Sequence, residues 1–213
     1  MAVQYGVGYE NTKQLEKLHL QFCRNSLGVR TTTPNFMTYG ELGRTPIDIC
    51  IKLSIVNFWN ILISKFETRR ISCMLYKIMF NLSIIDNVQF KWLNFIKSIF
   101  EKTGPNYLWN HQQSFHSVQL KFIVKQNLTD QYVQNWFSQI ENSSSGEFYG
   151  IFKNEFNVEK YLLKLLPHER NMITKFRCNN IKLPTETQCL KWTVAQSPNA
   201  TNILFGRPKA APN

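Results

Sequence analysis

Acidic residues are scarce in this sequence. It has 14 Asp and Glu against 25 Lys and Arg, and only three of the acids are aspartates. Asp48, Asp86 and Asp130 lie far apart, each in a different predicted helical region. Two-metal phosphoryl transfer needs several carboxylates that converge on ions about 3.5–4 Å apart. The sequence therefore predicts no such catalytic centre, and we expect that the chain is not an enzyme.

Paired metal ligands and phosphate-binding loops are missing as well. The five cysteines, at positions 23, 50, 73, 178 and 189, include no C-x-x-C pair of the kind that structural zinc sites use. His111 and His116 flank Ser114, but no acidic residue stands beside them to orient a histidine. No glycine-rich phosphate loop is present. We therefore predict no metal site, no cofactor and no small-molecule substrate.

The sequence also lacks the marks of export and of a membrane span. Its first residues show no basic segment followed by an apolar run, which is the pattern of a secretory signal. The longest charge-free apolar run, Leu53–Ser64, is shorter than the roughly 20 residues that cross a bilayer. An odd, dispersed set of cysteines is typical of reduced thiols inside cells. We expect an intracellular protein, cytoplasmic or nuclear, without a membrane partner.

Aromatic residues and positive charge are abundant. Hydrophobic residues make up 43% of the 213 residues and aromatic residues 14%, which favours a packed globular body over disorder. The formal net charge is +11. A basic excess of this size favours a polyanionic partner, nucleic acid before membrane, although an ordinary solvated basic surface would have the same composition.

Apolar residues recur mainly at helical spacing, so the sequence predicts a mainly α fold of about seven to eight helices in an irregular bundle. Residues 118–124 alternate between apolar and polar side chains and fit either a strand or a helix. Thr129 is a predicted N-cap, and Pro167 is expected to divide or kink the last helix. The predicted helices span residues 13–27, 46–65, 68–85, 90–102, 129–140, 147–156 and 158–178.

Two helical faces carry the basic side chains that could hold phosphates. In residues 13–27, Leu15, Leu18 and Phe22 share one side, and the opposite side carries Lys13, Lys17, Gln21 and Arg24. Residues 165–184 form the densest basic segment, with Arg170, Lys175, Arg177 and Lys182. The alternative for this second segment is a helix end with cations near its negative pole.

The segment from Val29 to Ile47, VRTTTPNFMTYGELGRTPI, is rich in Thr, Gly and Pro and shows little core pattern. It predicts a hairpin between two helices, with turns at Gly40 and Gly43 and Pro46 in the first turn of the next helix. Glu41 and Arg44 are three residues apart and could pair across the turn. A rigid elbow without any nucleic-acid contact is the alternative.

Several motifs, taken together, resemble one family. Gly8-Tyr9-Glu10, Leu27-Gly28-Val29, Thr33-Pro34, the run from Tyr39 to Arg44, Pro46 and Phe58-Trp59 occur in that order. LTDQYVQNW and KFRCNNIKLPTET follow downstream. This order resembles the region just after the reverse transcriptase domain of non-LTR (LINE-type) retrotransposon polyproteins, over about residues 5–187. The palm domain, with its paired aspartates, would lie upstream in that family.

The resemblance implies a non-catalytic fragment of a LINE-type reverse transcriptase, whose parent is an RNA-directed DNA polymerase. It implies a thumb-like helix and hairpin at residues 1–45, a helical body at 46–141 and a basic helical segment at 147–187. The loop at 142–146 marks the expected subdomain boundary, and the proline-punctuated tail at 188–213 is expected to be disordered. The implied partner is RNA or an RNA–DNA duplex. A helical scaffold module, and a decayed transposon fragment without selected function, remain alternatives, and the oligomeric state is open.

Overall fold

The computed structural model describes residues 9–65 and 70–179, with side chains from residue 12 onward. No strand occurs in these residues, and the predicted mainly α fold is confirmed. The predicted disorder of residues 188–213 and the predicted role of Lys182 lie outside the described residues. The described part contains ten helices: α1 (Tyr9–Leu27), α2 (Asn35–Leu42), α3 (Ile47–Ser64), α4 (Ile71–Ile85), α5 (Lys91–Thr103), α6 (Asn106–Asn110), α7 (Ser117–Glu141), α8 (Ser144–Gly150), α9 (Lys160–Lys164) and α10 (Pro167–Arg177).

Helix α3 is the centre of the largest hydrophobic cluster, and the side chains of α4 to α7 pack around it. Trp59 is fully buried, lies edge-on to Phe100 with 4.7 Å between ring centroids, and donates its indole N–H to the Tyr76 hydroxyl at 3.0 Å. Asn60 bonds the backbone of Phe115 twice, at 2.8 and 2.9 Å, and so fastens the start of α7 to α3.

Helix α3 also reaches the length and mean hydropathy of a membrane-spanning helix, with 44% of the 18-residue window buried in the protein. The expectation that no segment is long enough rested on Leu53–Ser64 alone, and the helix gains its length by including Asp48 and Lys52. These two charges form an ion pair at 2.5 Å, which makes both easier to accommodate beside apolar residues. A core helix of a globular domain has the same properties.

Helix α7 corrects two expectations about the middle of the chain. Residues 118–124 are helical, and Thr129, the predicted N-cap, lies in the middle of the 25-residue helix. The reason is a line of side chains on one side of the helix at a spacing of four residues, which passes Thr129 and in which Tyr132, between Leu128 and Trp136, is only partly buried. Its buried members are Leu120, Val124, Leu128, Trp136 and Ile140, while the alternating residues Val118 and Phe122 remain exposed.

The turn between α7 and α8 does not separate two bodies. Ser143 caps α8 by accepting the Gly146 N–H at 3.0 Å, so the NSSSG sequence is a helix start. A Cβ on Gly146 would lie 2.2 Å from the Ile140 carbonyl oxygen, which shows how closely α8 folds back on α7. All described residues belong to one compact unit, and buried residues on both sides of this turn, among them Met37, Trp136 and Tyr149, share one hydrophobic cluster.

Pro167 divides the last predicted helix. It occupies the first turn of α10, where its missing N–H costs no hydrogen bond, and α9 ends just before it. The Glu169 carboxylate accepts the Leu166 N–H at 3.0 Å and holds this helix start. Helices α6 and α9 are five residues each, which is too short for a hydrophobic period to be visible in the sequence.

The predicted hairpin at residues 29–47 is wrong, because a buried helix, α2, occupies its middle. Gly40 lies inside that helix and packs tightly: a Cβ there would be 2.5 Å from the Tyr149 hydroxyl and 2.9 Å from the Trp136 ring. Gly43 does form a turn, since it ends α2 with φ +56°. Pro46 immediately precedes α3 as its N-cap. Gly40 is therefore required for close packing, and Gly43 for the chain reversal.

Helix α1 is rotated relative to the prediction. Leu20, Cys23 and Leu27 are buried, whereas the predicted buried residues Leu18 and Phe22 are 62% and 63% exposed, and Leu15 is also exposed. The helix has two apolar lines, and packing against α2 and α3 buries only one of them. Glu16 fixes the choice, because its carboxylate accepts hydrogen bonds from the Tyr39 hydroxyl and from the Ile47 N–H.

Candidate nucleic-acid interface

A groove of about 480 Å³ runs along α1 where the helix meets the starts of α2 and α3. Three of the four predicted phosphate-binding residues of α1 line it: Lys13, Lys17 and Arg24. They are brought there by their spacing of four and seven residues, which places them on one side of the helix. The remaining lining residues are Thr12, Glu16, Leu20, Asn35 and Asp48.

Both carboxylates in this groove already have hydrogen-bond or ion-pair partners. Glu16 accepts from Tyr39 and from the Ile47 backbone, and Asp48 pairs with Lys52. Lys13 and Lys17 are exposed, and no acid among residues 12–65 and 70–179, whose side chains the structure describes, forms a salt bridge with either of them. Both ammonium groups are therefore available to an anion from solution.

Arg24 has a different role from the two lysines. Its Nη2 donates to the Thr33 carbonyl and to the Asn35 side chain, each at 2.7 Å, and ties α1 to the segment that leads into α2. Its buried Nε has no hydrogen-bond partner among the described residues. The prediction that Arg24 faces a phosphate backbone is therefore corrected: the guanidinium is mainly an internal brace at the end of the groove.

Gln21 lies beyond the groove, and its exposed side chain is free to reach solvent. It is one turn from Lys17 on α1. The exposed part of the predicted polar face therefore consists of Lys13, Lys17 and Gln21. The apolar residues Leu18 and Phe22 lie beside this face and not behind it, as the rotation of the helix requires.

The second predicted basic face, on α10, is largely occupied inside the protein. Arg170 donates to the Leu162 carbonyl at 3.0 Å. Arg177 donates its Nε to Glu41 at 3.0 Å and its Nη2 to Glu159 at 3.1 Å and to the Phe152 carbonyl at 3.1 Å. Only Lys175 of the described members is exposed. Arg170 and Arg177 are therefore corrected from candidate phosphate contacts to internal hydrogen-bond donors.

Arg177 belongs to a buried network of charged and polar groups, which we call the ion-pair network: Glu41, Lys153, Glu159, Tyr161, Thr174 and Arg177. Glu41 is fully buried and accepts from Arg177 and, at 2.5 Å, from the Tyr161 hydroxyl. Lys153, also buried, pairs with Glu159 at 2.6 Å. Two carboxylates and two cations balance one another, so no net charge is buried.

The ion-pair network changes the titration of the groups around it. Burial would lower the pKa of Arg177, but Glu41 and Glu159 raise it above the usual value of an arginine. Burial, followed by the nearby Glu41 charge, raises the pKa of Tyr149 and Tyr161 far above that of a free tyrosine. Burial and Glu41 also raise the pKa of the Cys178 thiol to about 12. These groups are fixed in their protonated forms and hold the fold together.

The predicted pairing of Glu41 with Arg44 is wrong. Arg44 is exposed, whereas Glu41 points inward from α2 to Arg177, 136 residues later in the chain. The position of Glu41 on α2 explains this, because α2 presents its buried side to α7, α8 and α10. No local pattern in the sequence indicates these partners. The one available signal is a single acid in a segment that turns out to be a buried helix.

No three His, Cys, Asp or Glu side chains among the described residues lie close enough together to hold a metal ion. The exposed His111 and His116 stand at the turn before α7, where His116 precedes the first helical residue. Cys178 is buried, and Cys189 lies outside the described residues. The absence of catalysis and of a metal site remains a prediction.

The geometry leaves one solvent-facing set of the predicted site residues, Lys13, Lys17 and Gln21 on α1, with Lys175 on α10. The resemblance to LINE-type sequences rests on the motifs alone. Comparison of the chain with protein-family models, with characterised proteins and with solved structures gives no match.

Proposed function

We propose that the chain binds RNA or an RNA–DNA duplex through phosphate contacts from α1, as a non-catalytic part of a LINE-type reverse transcriptase. The proposal rests on which charged groups in the α1 groove already have partners. Lys13 and Lys17 are exposed there, while Glu16 and Asp48 are bonded to other groups. A phosphate that enters this groove meets two free cations.

The rest of the molecule supports attraction of a polyanion. The chain has a formal net charge of +11, and a field of this sign raises the encounter rate with nucleic acid at low salt. Lys13 and Lys17 are one helical turn apart, about 6 Å along the axis, so they can contact neighbouring phosphates. Gln21, one turn from Lys17, extends the polar face of α1, and Lys175 is a further exposed cation on α10. Because phosphate contacts carry no sequence information, little sequence preference is expected.

The test is the salt dependence of binding to a duplex RNA. Counterion release by about two to three neutralised phosphates, the number that Lys13, Lys17 and Lys175 can contact, gives a log–log slope of roughly −2 to −3. Replacing Lys13 and Lys17 together by Gln should weaken binding and flatten the slope by about two units, since each lysine contacts one phosphate. Fluorescence anisotropy titrations at several salt concentrations measure both quantities.

The matched control is the replacement of Lys91 and Lys102 by Gln. Both lysines are exposed on α5, and the change removes the same charge from a different helix. This variant should keep the slope within about half a unit of the wild type. Equal losses in the two double variants, or no binding at about 50 mM salt, would refute the proposal. Circular dichroism confirms that each variant is folded.

The scaffold alternative also has an observation in its favour, since several large apolar side chains are exposed on α1 and α4. It predicts that binding to nucleic acid is absent while association with a protein persists. A decayed fragment without selected function predicts neither.

A further inference from the structure

Helix α4 is apolar on two opposite sides. One side packs inward, with Cys73 and Tyr76 buried and Phe80 partly buried against Trp109 and the rest of the central cluster. The other side forms what we call the apolar stripe: Ile71, Met74, Leu75, Ile78, Leu82 and Ile85. Each of these six side chains is between 36% and 77% exposed.

The stripe is large for a surface that faces water. At the exposures above it presents on the order of 600 Å² of apolar side chain, the upper end of what a typical monomer shows in one patch. A helix that is hydrophobic all round is normally covered on all sides. The area is also close to the roughly 800 Å² per partner of a standard protein interface.

The spacing of the stripe indicates that a helix covers it. Ile71, Ile78 and Ile85 recur every seven residues, with Met74, Leu75 and Leu82 between them. Apolar residues with this repeat form the seam between two packed helices. The same surface carries no charged residue along the line of contact, so an identical helix can pack on it without burying a charge.

The charged residues at the two ends of α4 indicate which helix covers the stripe. Arg70 precedes the helix and Asp86 follows it, both are exposed, and each is eight residues from Ile78. Each charge is unfavourable for its own helix, because a cation stands at the positive amino end and an anion at the negative carboxyl end. In an antiparallel pair of α4 helices centred on Ile78, Arg70 of each copy lies at the same level along the helix axis as Asp86 of the other.

We propose that the chain forms a symmetric dimer in which α4 packs antiparallel on α4 of a second copy. Ile78 lies at the two-fold axis, Ile71 packs against Ile85 of the second copy, and Arg70 lies level with its Asp86, close enough for their charges to attract. The helix dipoles are then antiparallel, and every unfavourable end charge acquires an opposite one. A two-fold interface of this kind closes on itself, which limits assembly to the dimer.

The first experiment measures the mass of the full chain by light scattering and sedimentation equilibrium. For an interface of this size we expect a dimer with a Kd on the order of 1–10 µM. Ile78→Asp places two carboxylates together at the axis and should raise this Kd at least about 100-fold. The control is Ile84→Asp on the same helix: Ile84 is 64% exposed but lies outside the stripe, so the Kd should change by less than about threefold.

The second experiment tests the antiparallel arrangement by exchanging the end charges. Arg70→Asp and Asp86→Arg should each raise the Kd by about three- to tenfold, because each replaces two attractions by two repulsions. Each change improves the charge at its own helix end, so the monomer should not lose helicity. The double exchange, Arg70→Asp with Asp86→Arg, should return the Kd to within about threefold of the wild type.

A chain that stays monomeric at about 100 µM overturns the proposal, and so does a dimer that survives Ile78→Asp. If the single charge changes weaken the dimer and the double exchange does not restore it, the antiparallel pairing is wrong. Monomers that bind anionic lipid vesicles, and lose that binding on Ile78→Asp, would assign the stripe to a lipid surface instead.

Discussion

Lys175 and Arg177 are two residues apart on α10, yet one side chain lies in water and the other in the ion-pair network. Their formal charge is the same, and the surroundings alone decide what each contributes. Replacing a solvent-exposed charged side chain by a neutral one changes stability little. Replacing one partner of a buried pair leaves the other partner charged and unpaired.

The substitution Arg177→Met should therefore destabilise the fold by about 3–5 kcal/mol, because it leaves Glu41 and Glu159 with one cation fewer in a buried site. Lys175→Met, the same change at an exposed position of the same helix, should shift stability by less than about 0.5 kcal/mol. Urea unfolding followed by circular dichroism measures both. Adding Glu41→Gln to Arg177→Met should recover part of the loss. Similar stabilities for the two single variants would contradict the buried network.

At the scale of helices, α1 shows that a line of apolar residues at helical spacing need not be the side that is buried. It carries Leu15, Leu18 and Phe22 on one side and Leu20, Cys23 and Leu27 on another, at equally good helical spacing. Periodicity cannot choose between two such lines. The choice depends on Glu16, which reaches Tyr39 and Ile47 only when the second line faces inward.

Two truncations on α1 test this orientation. Leu27→Ala should cost about 2–4 kcal/mol, because Leu27 is 1% exposed and its removal leaves a cavity. Phe22→Ala, a larger deletion, should cost less than about 0.5 kcal/mol, because the ring is mostly in solvent. Thermal or urea unfolding gives both values. A loss for Phe22→Ala as large as that for Leu27→Ala would mean that the helix is turned the other way.

Elements with a clear local pattern can be predicted from the sequence, and elements whose position depends on residues distant in the chain cannot. Helix α5 was predicted to within about a residue, because it has one apolar side, one polar side and a Gly104-Pro105 stop. Helix α2 is not predicted, since Gly40 within it and Gly43 just after it suggest turns and its burial depends on Trp136 and Tyr149. Of the candidate site, Lys13, Lys17 and Gln21 were placed on a common exposed face as predicted. The internal roles of Arg24, Arg170 and Arg177 depend on partners that are distant in the sequence.

At the scale of the whole molecule, burial raises the pKa of five tyrosines and two thiols among the residues that the structure describes. Desolvation is the largest cause that raises the pKa of Tyr39, Tyr76, Tyr132, Tyr149 and Tyr161, and of Cys23 and Cys178. Each protonated group is neutral, so its burial contributes fully below the pKa it has in the unfolded chain. That contribution falls as the pH rises toward the folded pKa, because only the unfolded chain releases the proton.

Stability should therefore begin to fall near pH 8.5, where unfolded thiols ionise, and fall more steeply above about pH 10, where unfolded tyrosines ionise. Arg177 plays no part in this range, since its pKa is raised from an already higher value. Thermal unfolding at stepped pH, with phenolate absorbance recorded alongside, follows the change. Most tyrosines should ionise only as the chain unfolds. Smooth ionisation of all of them in the folded protein would contradict the prediction.

The pairing of Glu41 with Arg177 spans 136 residues, and this has a consequence for synthesis on the ribosome. At roughly 5–20 residues per second, Glu41 exists for on the order of ten seconds before Arg177 is made. During that interval, burial of α2 would leave the Glu41 carboxylate without its cation, so α2 cannot complete its packing while the cluster around α3 forms. Completion of α10 is then the event that commits the nascent chain to its final form.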